Sequence, residues 1–314
     1  MTAVRIEELR KVFGTFQALD GLSLTVEPGT VFGFLGPNGA GKTTTIRILT
    51  GLAHATGGHA WVLDKEVTND GQEIARHIGY LPEEPAFYPW MTPREYLDYV
   101  GRVFGLTAAE RTTRTKELLA LTGLEEAARR RIEGFSRGMR QRLALAQAIL
   151  NHPEILFLDE PASALDPAGR KEVLDFIDSL RGQCTVFMST HILADVERVC
   201  DTIGIIHRGK LVIAESRESL LAQYAIPAFE VEVDKQSEPG LTPWIEALRK
   251  EGWVKSVLLQ GLVVRVIVSD VERAKKELLT SIIYANLILT RYEIVRPSLE
   301  DVFLQLVSQE EGRS

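Results

Sequence analysis

A glycine-rich segment near the start of the chain has residue types suited to binding a polyphosphate. It runs from Gly36 to Thr44 and reads Gly-Pro-Asn-Gly-Ala-Gly-Lys-Thr-Thr, the pattern of a phosphate-binding loop. Its glycines, Gly36, Gly39 and Gly41, let the backbone curl so that N–H groups point at phosphate oxygens. Lys42 supplies a full charge for β- and γ-phosphates, and the Thr43 hydroxyl can ligate Mg²⁺.

Two carboxylates and a histidine follow apolar segments later in the chain. Asp159 and Glu160 close the apolar run that begins at Ile155, which is typical of a buried parallel strand. In a protein with a phosphate-binding loop, a carboxylate at this place holds Mg²⁺, which predicts Asp159 as a metal ligand. Glu160 is placed to take a proton from attacking water. His191 follows a further apolar segment, Thr185–Thr190, and is predicted to be functional because of that position.

Strands and helices must alternate to bring these groups together. Strand Val31–Leu35 is predicted to lead into the loop, and helix Thr43–Thr50 to leave it and stop at Gly51. Open α/β sheets place ligand groups at the carboxyl ends of their strands, where His191 is therefore expected. The sequence predicts an α/β core around the phosphate-binding loop.

Upstream of the loop, the segments Val4–Leu9 and Leu22–Val26 alternate well enough for β-strands. Phe13 or Phe16, which lie between them, can stack on a nucleotide base, and such stacking is worth roughly 1–3 kcal/mol. Either side chain can equally be a core or hairpin aromatic. The local sequence leaves both interpretations open.

Downstream of the loop, residues 92–150 are predicted to be mainly helical. Thr92-Pro-Arg-Glu95 is a capping box with proline at the first helical position. A second helix is predicted over Ala108–Thr122, and Ser136 stands where the N-cap of a third helix belongs. These helices indicate a helical subdomain spanning about residues 84–150.

Length and composition limit the class of protein. The chain has 314 residues, of which 45% are hydrophobic, enough for one large domain and a small one. The net charge of −7 argues against a generally basic nucleic-acid binder, and no nucleic-acid partner is expected. The N-terminus lacks the apolar core of a signal peptide, and no segment is apolar for long enough to span a membrane. The sequence therefore predicts a cytoplasmic protein that reaches a membrane only through a partner.

The order of these motifs resembles that of the ATP-binding subunits of ABC transporters over residues 1–222. Gly36–Thr44 is similar to the Walker A motif, Phe135–Arg142 to the family signature and Ile155–Asp159, with Glu160 following, to Walker B. Ser163–Asp166 is similar to the D-loop and His191 to the switch histidine. The resemblance implies ATP as the nucleotide, held by the loop residues Gly36, Asn38, Gly39, Gly41, Lys42, Thr43 and Thr44.

The resemblance also implies a homodimer in which two copies sandwich two ATP molecules. Ser136 and the backbone of Gly138 would contact the γ-phosphate held by the other subunit, and Asp166 would cross the interface. Phe13 matches the aromatic residue that stacks on adenine. Glu160 and His191 would be the catalytic pair, with Thr43 and Asp159 holding Mg²⁺.

The chain departs from the family pattern at several positions. The signature commonly reads Leu-Ser-Gly-Gly-Gln, whereas Phe135, Arg137 and Met139 replace its first, third and fifth residues here. The glutamine usual in the loop before the helical subdomain is replaced by Glu83. An ionised carboxylate only accepts hydrogen bonds. Glu83 is therefore predicted to act as an acceptor at the nucleotide, for instance through an Mg²⁺-bound water.

Two further segments resemble those of ABC-2-type exporters, in which the ATP-binding and membrane subunits are separate chains. They are Leu81–Thr92 and the tail Pro297–Phe303. The aromatics Phe87, Tyr88 and Trp90 are predicted to be exposed, where the family docks a coupling helix of the membrane subunit. The resemblance implies an ABC-2-type permease as partner and a place on the inner face of the cell membrane.

After the ATP-binding domain, predicted over residues 1–225, residues 226–314 are predicted to form a small α+β domain. Strands are predicted around Phe229 and over Val254–Leu259, Leu262–Val268 and Leu287–Val295. Helices are predicted over Pro243–Lys250 and Val271–Tyr284, and a capping box over Ser298–Asp301. The resemblance implies an accessory domain for dimer contact or regulation.

The sequence thus predicts an ATP hydrolase that powers export through a separate permease by closing and reopening as a dimer. The rivals are a soluble ABC-type ATPase that acts on DNA or the ribosome, and an import-type subunit. Only about a hundred residues separate Walker A from Walker B, which leaves no room for the coiled coil of the DNA-repair type.

Overall fold

The computed structural model describes residues 2–163, 165–223, 228–295, 299, 300, 302, 303 and 306, without the side chain of residue 69. Ala164 of the D-loop, the boundary predicted after residue 225, and Pro297, Ser298 and Asp301 of the tail lie outside the described residues. The chain divides into two compact units, Met1–Arg217 and Glu218–Ser314. No helix of the described residues is long and apolar enough to cross a membrane.

The β-strands of the described residues are β1 (Val4–Phe13), β2 (Phe16–Val26), β3 (Val31–Leu35), β4 (Gly57–Val62), β5 (Lys65–Glu66), β6 (Ile78–Leu81), β7 (Ile155–Asp159), β8 (Thr185–Thr190), β9 (Thr202–His207), β10 (Lys210–Ser216), β11 (Ala228–Val233), β12 (Val254–Gln260), β13 (Val263–Val268) and β14 (Leu289–Val295). The α-helices are α1 (Lys42–Leu49), α2 (Val67–His77), α3 (Pro93–Val103), α4 (Ala108–Leu121), α5 (Arg137–Ala148), α6 (Pro167–Ser179), α7 (Leu193–Val199), α8 (Arg217–Gln223), α9 (Glu238–Leu248) and α10 (Val271–Tyr284).

An antiparallel sheet with the strand order β2-β1-β4-β5 forms one layer of the first unit. Strands β1 and β2 are longer than the sequence pattern predicted and make one hairpin, in which Phe13 pairs with Phe16. Leu9 and Leu22 are fully buried on the inner side of this hairpin, in one core with Phe32 and Phe34 of β3. The hairpin therefore packs on the strand that leads into the phosphate-binding loop.

A six-stranded sheet with the order β10-β9-β3-β8-β7-β6 forms the centre of the first unit, and all its pairs are parallel except β10 with β9. Strand β8 lies between β3 and β7. Leu35 pairs with Thr190, and Asp159 pairs with Ser189, so the three strands end at one edge. This register places the loop, the acidic pair and His191 side by side, because each directly follows its strand.

The helical segment contains α3, α4 and α5, as predicted from the sequence. Thr92 and Glu95 form the predicted capping box at α3, and Thr107 and Glu110 form a second one at α4. At its far end, α5 packs so closely on β6 that a Cβ atom at Gly79 would lie 1.9 Å from the Ala148 carbonyl oxygen. Only glycine fits at that contact.

Helix α2 is an element that the sequence pattern did not predict. Its backbone is non-helical at Asp70, and Gly71 follows, so the apolar periodicity is interrupted. Helix α9 differs in its start: it begins at Glu238 rather than Pro243, because Pro239 is pre-organised for a first turn.

The second unit is an α+β unit, as predicted. Its antiparallel sheet has the order β12-β13-β11-β14, and α9 and α10 cover one face. The core between them contains Phe229, Trp244, Trp253 and Leu278, each at most 4% exposed. No group of three or more His, Cys, Asp or Glu side chains that could hold a metal is present among the described residues of either unit.

Candidate active site

The phosphate-binding loop lies between β3 and α1. A Cβ atom at Gly36 would lie 2.4 Å from the Ile206 carbonyl oxygen of β9. Gly41 has a φ of 111°, in the left-handed region, and its Cβ atom would lie 2.7 Å from Leu19 Cδ2 of β2. The neighbouring strands therefore leave room only for a loop with glycine at these two positions, as the sequence pattern predicted.

The loop ends at the N-terminus of α1. This helix has no side-chain cap and no acidic residue in its first turn. Its first N–H groups, which lie within the described residues, are therefore free of side-chain acceptors and suited to an anion. Asn38 and Gly39 are exposed in the loop, and Thr44 is half-buried in the first turn. The arrangement fits the phosphates of ATP.

Lys42 is buried beneath the loop. Its Nζ donates to the carbonyl oxygens of Gly36 at 2.7 Å and Pro37 at 3.2 Å. The same Nζ lies 3.3 Å from Glu160 Oε1, and both side chains are only 6% exposed. A cation held among carbonyls in this way can exchange its contacts for phosphate oxygens, which carry more charge.

Asp159 collects two hydroxyl groups at the end of β7. Thr43 Oγ1 donates to Asp159 Oδ1 at 3.1 Å, and Ser189 Oγ donates to the same oxygen at 2.6 Å. Burial raises the pKa of Asp159, and the hydroxyl of Ser189 partly opposes that shift. Hydroxyl and carboxylate oxygens are the ligands that Mg²⁺ prefers, together with nucleotide phosphates and water. The pair Thr43 and Asp159 therefore fits Mg²⁺.

Glu160 links the loop to the switch histidine. His191 Nδ1 lies 2.9 Å from Glu160 Oε2 and donates to it, since a carboxylate only accepts. With Lys42 beside Oε1, each oxygen of Glu160 faces a different partner. Glu160 also has a φ of 49°, unusual for a residue with a side chain. The structure thus brings together Lys42, Thr43, Asp159, Glu160 and His191; we call these five residues the catalytic cluster, after the role that the sequence predicts for them.

Ser136, Gly138 and Asp166 form a second group, which we call the signature cluster. Ser136 caps α5 by accepting from Met139 N at 3.2 Å, and Asp166 caps α6 by accepting from Gly169 N at 3.2 Å. All three residues line one open cavity of about 480 Å³. In the described part of the chain, no hydrogen bond or ion pair joins them to the catalytic cluster.

Phe13 lies at the end of β1, with 52% of its surface exposed. Lys11 Nζ lies over its ring at 4.7 Å from the centroid. Phe16, across the turn, is 59% exposed, so neither ring is a core residue. Of the two alternatives to base stacking, the core position is wrong, whereas both aromatics do lie in a hairpin, in which Phe13 pairs with Phe16. Leu19, farther along β2, reaches Gly41, which brings this hairpin to the loop.

Glu83 is not brought into the catalytic cluster. It follows β6 and is exposed, and it forms no hydrogen bond or ion pair with any described residue. Its predicted part in binding the nucleotide and Mg²⁺ stays a prediction.

Two polar residues of the site were not singled out from the sequence. Ser189 holds Asp159 and also accepts from the Glu160 N–H at 3.2 Å. Gln141 Nε2 donates to the Pro161 carbonyl at 2.8 Å and is 4% exposed. A polar residue inside a fully buried strand is the signal that points to Ser189. Gln141 has no comparable local signal, because α5 has several polar residues.

Comparison with family models matches both units. A model described as "ABC transporter" matches residues 19–163. A second model, described as the C-terminal domain of DrrA1-3-like ATP-binding proteins, matches residues 216–307.

Several curated proteins are similar over most of the chain. YxlF of Bacillus subtilis, an uncharacterized ABC transporter ATP-binding protein, is 39% identical over 96% of this chain and 98% of its own length. The linearmycin resistance ATP-binding protein LnrL of B. subtilis is 31% identical over 98% of both chains. The bacitracin transport ATP-binding protein BcrA of Bacillus licheniformis is 40% identical over 67% of this chain and 69% of its own.

Solved structures of ATP-binding cassettes share the fold. The ATP-binding subunit of an ABC transporter superposes with a TM-score of 0.66 at 28% identity, covering 71% of this chain and 93% of the other. A dimeric, post-hydrolysis cassette bound to ADP and Pi superposes with a TM-score of 0.63 at 25% identity, covering 68% and 98%.

Proposed function

This chain belongs to the ATP-binding subunits of ABC transporters and hydrolyses ATP, and we propose that it powers export of a substrate through a separate ABC-2-type permease. The family, fold class and ATPase activity predicted from the sequence are confirmed by the matches described above. The single observation that carries a role for the site residues is the double contact of Glu160, with Lys42 on one oxygen and His191 on the other.

In the proposed mechanism, Glu160 is the general base. Its carboxylate takes a proton from the water that attacks the γ-phosphate of ATP. His191 orients this carboxylate through the hydrogen bond of Nδ1 with Glu160 Oε2. Lys42 turns from the carbonyls of the loop to the β- and γ-phosphates. Thr43 and Asp159 would hold Mg²⁺, which when bound would supply positive charge against the phosphates. The hydroxyl of Ser189 keeps the Asp159 carboxylate in place.

The signature cluster is proposed to act on the nucleotide of a second copy. Solved cassettes similar to this chain are dimeric. Among the residues that the structure describes, no hydrogen bond or ion pair joins the signature cluster to the catalytic cluster of the same chain. Ser136 and Gly138 at the start of α5 would meet the γ-phosphate held by the partner, and Asp166 would cross the interface. Phe13 would stack on adenine, because its ring is exposed in the hairpin whose Leu19 lies close to the loop at Gly41.

Docking on the permease is proposed to use an aromatic surface on the helical segment. Trp90 is 61% exposed, Tyr88 41% and Tyr99 43%. The centroid of the Tyr88 ring lies 5.2 Å from that of Trp90 and 5.8 Å from that of Tyr99, so the three rings pack together. Phe87, which the sequence predicts to be exposed, is half-buried, and its ring packs edge-on against that of Tyr96 with the centroids 5.1 Å apart. It therefore contributes less to this surface than predicted. Exposed aromatic clusters of this kind are typical of interaction sites.

Export rather than import is supported by the relatives. LnrL is named for resistance to linearmycin and BcrA for bacitracin transport. YbhF of Escherichia coli, 36% identical over 71% of this chain and 39% of its own length, is named a probable multidrug ABC transporter ATP-binding protein. The C-terminal match to DrrA1-3-like ATP-binding proteins covers residues 216–307, which include the tail that resembles ABC-2-type exporters. By this proposal, the chain lies on the inner face of the cell membrane, held there by its permease.

The test is purification of the tagged full chain from membranes solubilised in mild detergent, followed by mass spectrometry. We expect a stoichiometric protein with several membrane spans. Ribosomal or DNA-associated proteins without a membrane chain would overturn the proposal in favour of a soluble ATPase, and a co-purified solute-binding protein would favour import.

The aromatic surface is tested by the pair of substitutions Tyr88→Ala and Trp90→Ala. We expect loss of the membrane chain, since both rings leave the surface, with basal ATPase activity kept. The matched control is Phe104→Ala, a 37% exposed aromatic at the other end of α3. Retention of the membrane chain by the double variant would place docking elsewhere.

A further inference from the structure

The backbone of Glu160 is held in a conformation that it would not adopt freely. Its φ of 49° lies in the left-handed region, which crowds Cβ against the following carbonyl. The ring of Pro161 narrows the choices further, because proline disfavours helical conformations of the residue before it. Such a conformation persists only when surrounding contacts fix it.

Most contacts that fix the backbone of Glu160 come from residues near it at the carboxyl edge of the parallel sheet. The Glu160 N–H donates to Ser189 O at 3.1 Å and Ser189 Oγ at 3.2 Å. The Glu160 carbonyl accepts from Ser163 Oγ at 3.1 Å. These bonds fix Glu160 itself and leave the carbonyl of the next residue, Pro161, to another partner.

That partner comes from the helical segment. Gln141 Nε2 donates to Pro161 O at 2.8 Å, and Gln141 is 4% exposed. Because the proline ring already fixes φ of Pro161, the remaining freedom there is ψ, which turns this carbonyl. The amide of Gln141 therefore fixes the one open backbone angle next to the proposed base.

Gln141 lies on α5, whose N-terminus carries Ser136 and Gly138. A helix moves as a rigid element, so a shift of its start on meeting a nucleotide also shifts the amide of Gln141. We propose that Gln141 is a positioning residue that couples docking of α5 to the orientation of Glu160. This inference rests on the proposed role of Glu160 as base.

The test substitution is Gln141→Met in the full chain, which keeps the length of the side chain and removes the donor. We expect kcat to fall by about 10- to 100-fold, the effect of a small misplacement of a catalytic group. The KM and the affinity for ATP should stay unchanged, because Gln141 does not touch the nucleotide loop.

Gln147→Met is the matched control, since it makes the same chemical change on the same helix. Gln147 accepts from Tyr96 OH at 2.7 Å and, unlike Gln141, forms no hydrogen bond with the backbone at Glu160 or Pro161 within the described residues. A general weakening of α5 would lower the Tm and the kcat of both variants alike, which would overturn the inference. A fall in kcat confined to Gln141→Met supports it.

Two further variants separate the parts of the argument. If Glu160→Gln hydrolyses ATP normally, the base is wrongly assigned and the inference falls with it. If Glu160→Gln stalls while Gln141→Met matches its control, only the inference about Gln141 fails. In combination with Ser136→Ala, the effect of Gln141→Met on ln kcat should be less than additive, because both act through α5. Full additivity would contradict the coupling.

Discussion

The catalytic cluster and the signature cluster differ in how complete they are within one chain. In the catalytic cluster, side chains from three strand ends contact each other directly, with Glu160 touching both Lys42 and His191. In the signature cluster, Ser136 and Asp166 only cap their own helices. The difference teaches that one chain brings the proposed base into contact with a lysine and a histidine, whereas Ser136 at the start of α5 stays exposed. On the proposed function, that exposed half acts on the nucleotide of a second copy.

The largest expected effect is in the catalytic cluster, with Glu160→Gln. The amide cannot take a proton from water, so hydrolysis should fall by about 10²–10⁴-fold. Binding of ATP should persist, because the loop and Lys42 are intact, and the protein should accumulate as an ATP-bound dimer. Turnover assays combined with size-exclusion chromatography check both points. Turnover at the wild-type rate would show that the base lies elsewhere.

A smaller effect is expected in the signature cluster, with Ser136→Ala. Loss of a hydrogen bond to a charged phosphate costs about 1.5–3 kcal/mol, so kcat should fall by about 10- to 100-fold. ATP affinity of dilute protein should stay unchanged, which distinguishes the two clusters. The control is Thr107→Ala, which removes a cap of the same kind from α4, where Thr107 accepts from Glu110 N at 3.3 Å. An equal fall in kcat in both variants would show that Ser136 acts only as the N-cap of α5.

The smallest effect concerns stability, with Asp159→Asn. Burial raises the pKa of Asp159, so the folded state binds a proton more tightly than the unfolded state. The free energy of unfolding therefore falls as the pH rises from the ordinary pKa of an aspartate through the raised one. The hydroxyls of Thr43 and Ser189 both donate to Asp159 Oδ1, and the amide oxygen of an asparagine at this position can accept both hydrogen bonds.

Removing this buried charge should therefore raise the Tm at neutral pH by about 2–4 °C in the absence of Mg²⁺. Hydrolysis should fall at the same time, since the metal loses a charged partner. Thermal melts with and without Mg²⁺ provide the measurement. A lower Tm in the variant would show that the carboxylate stabilises the fold.

Much of the catalytic cluster was predictable. Lys42 and Thr43 belong to the loop motif, and Asp159, Glu160 and His191 lie where short apolar runs end. A buried strand imposes its pattern on the local sequence, and parallel strands end at one edge, so Asp159 and His191 could be placed without coordinates. The loop glycines were equally predictable, since nothing larger fits at Gly36. The register that puts Ser189 beside Asp159 depends on pairing between distant strands and leaves no local mark.

Other features depended on tertiary contacts that sequence patterns do not record. Phe87 was expected at the surface beside Trp90, but its ring is used to pack on Tyr96. Gln141 is one polar residue among several on α5, and its carbonyl partner at Pro161 lies far along the chain. Long-range pairing of this kind is decided by packing, which local propensity does not contain.

Ala148, the last residue of α5, is in close contact with Gly79 of β6, which restrains that end of the helix. The helix can therefore tilt about Ala148. At a rise of 1.5 Å per residue, Ser136 lies about 18 Å from Ala148 along the helix axis, and Gln141 lies about 10 Å from it. A tilt of about 5° would carry Ser136 roughly 1.6 Å and Gln141 roughly 0.9 Å along their arcs. If α5 docks on a nucleotide as proposed, a displacement of Ser136 would therefore reach Gln141 at about half its size. On that proposal, a small adjustment next to Glu160 would follow from a larger displacement at the start of α5.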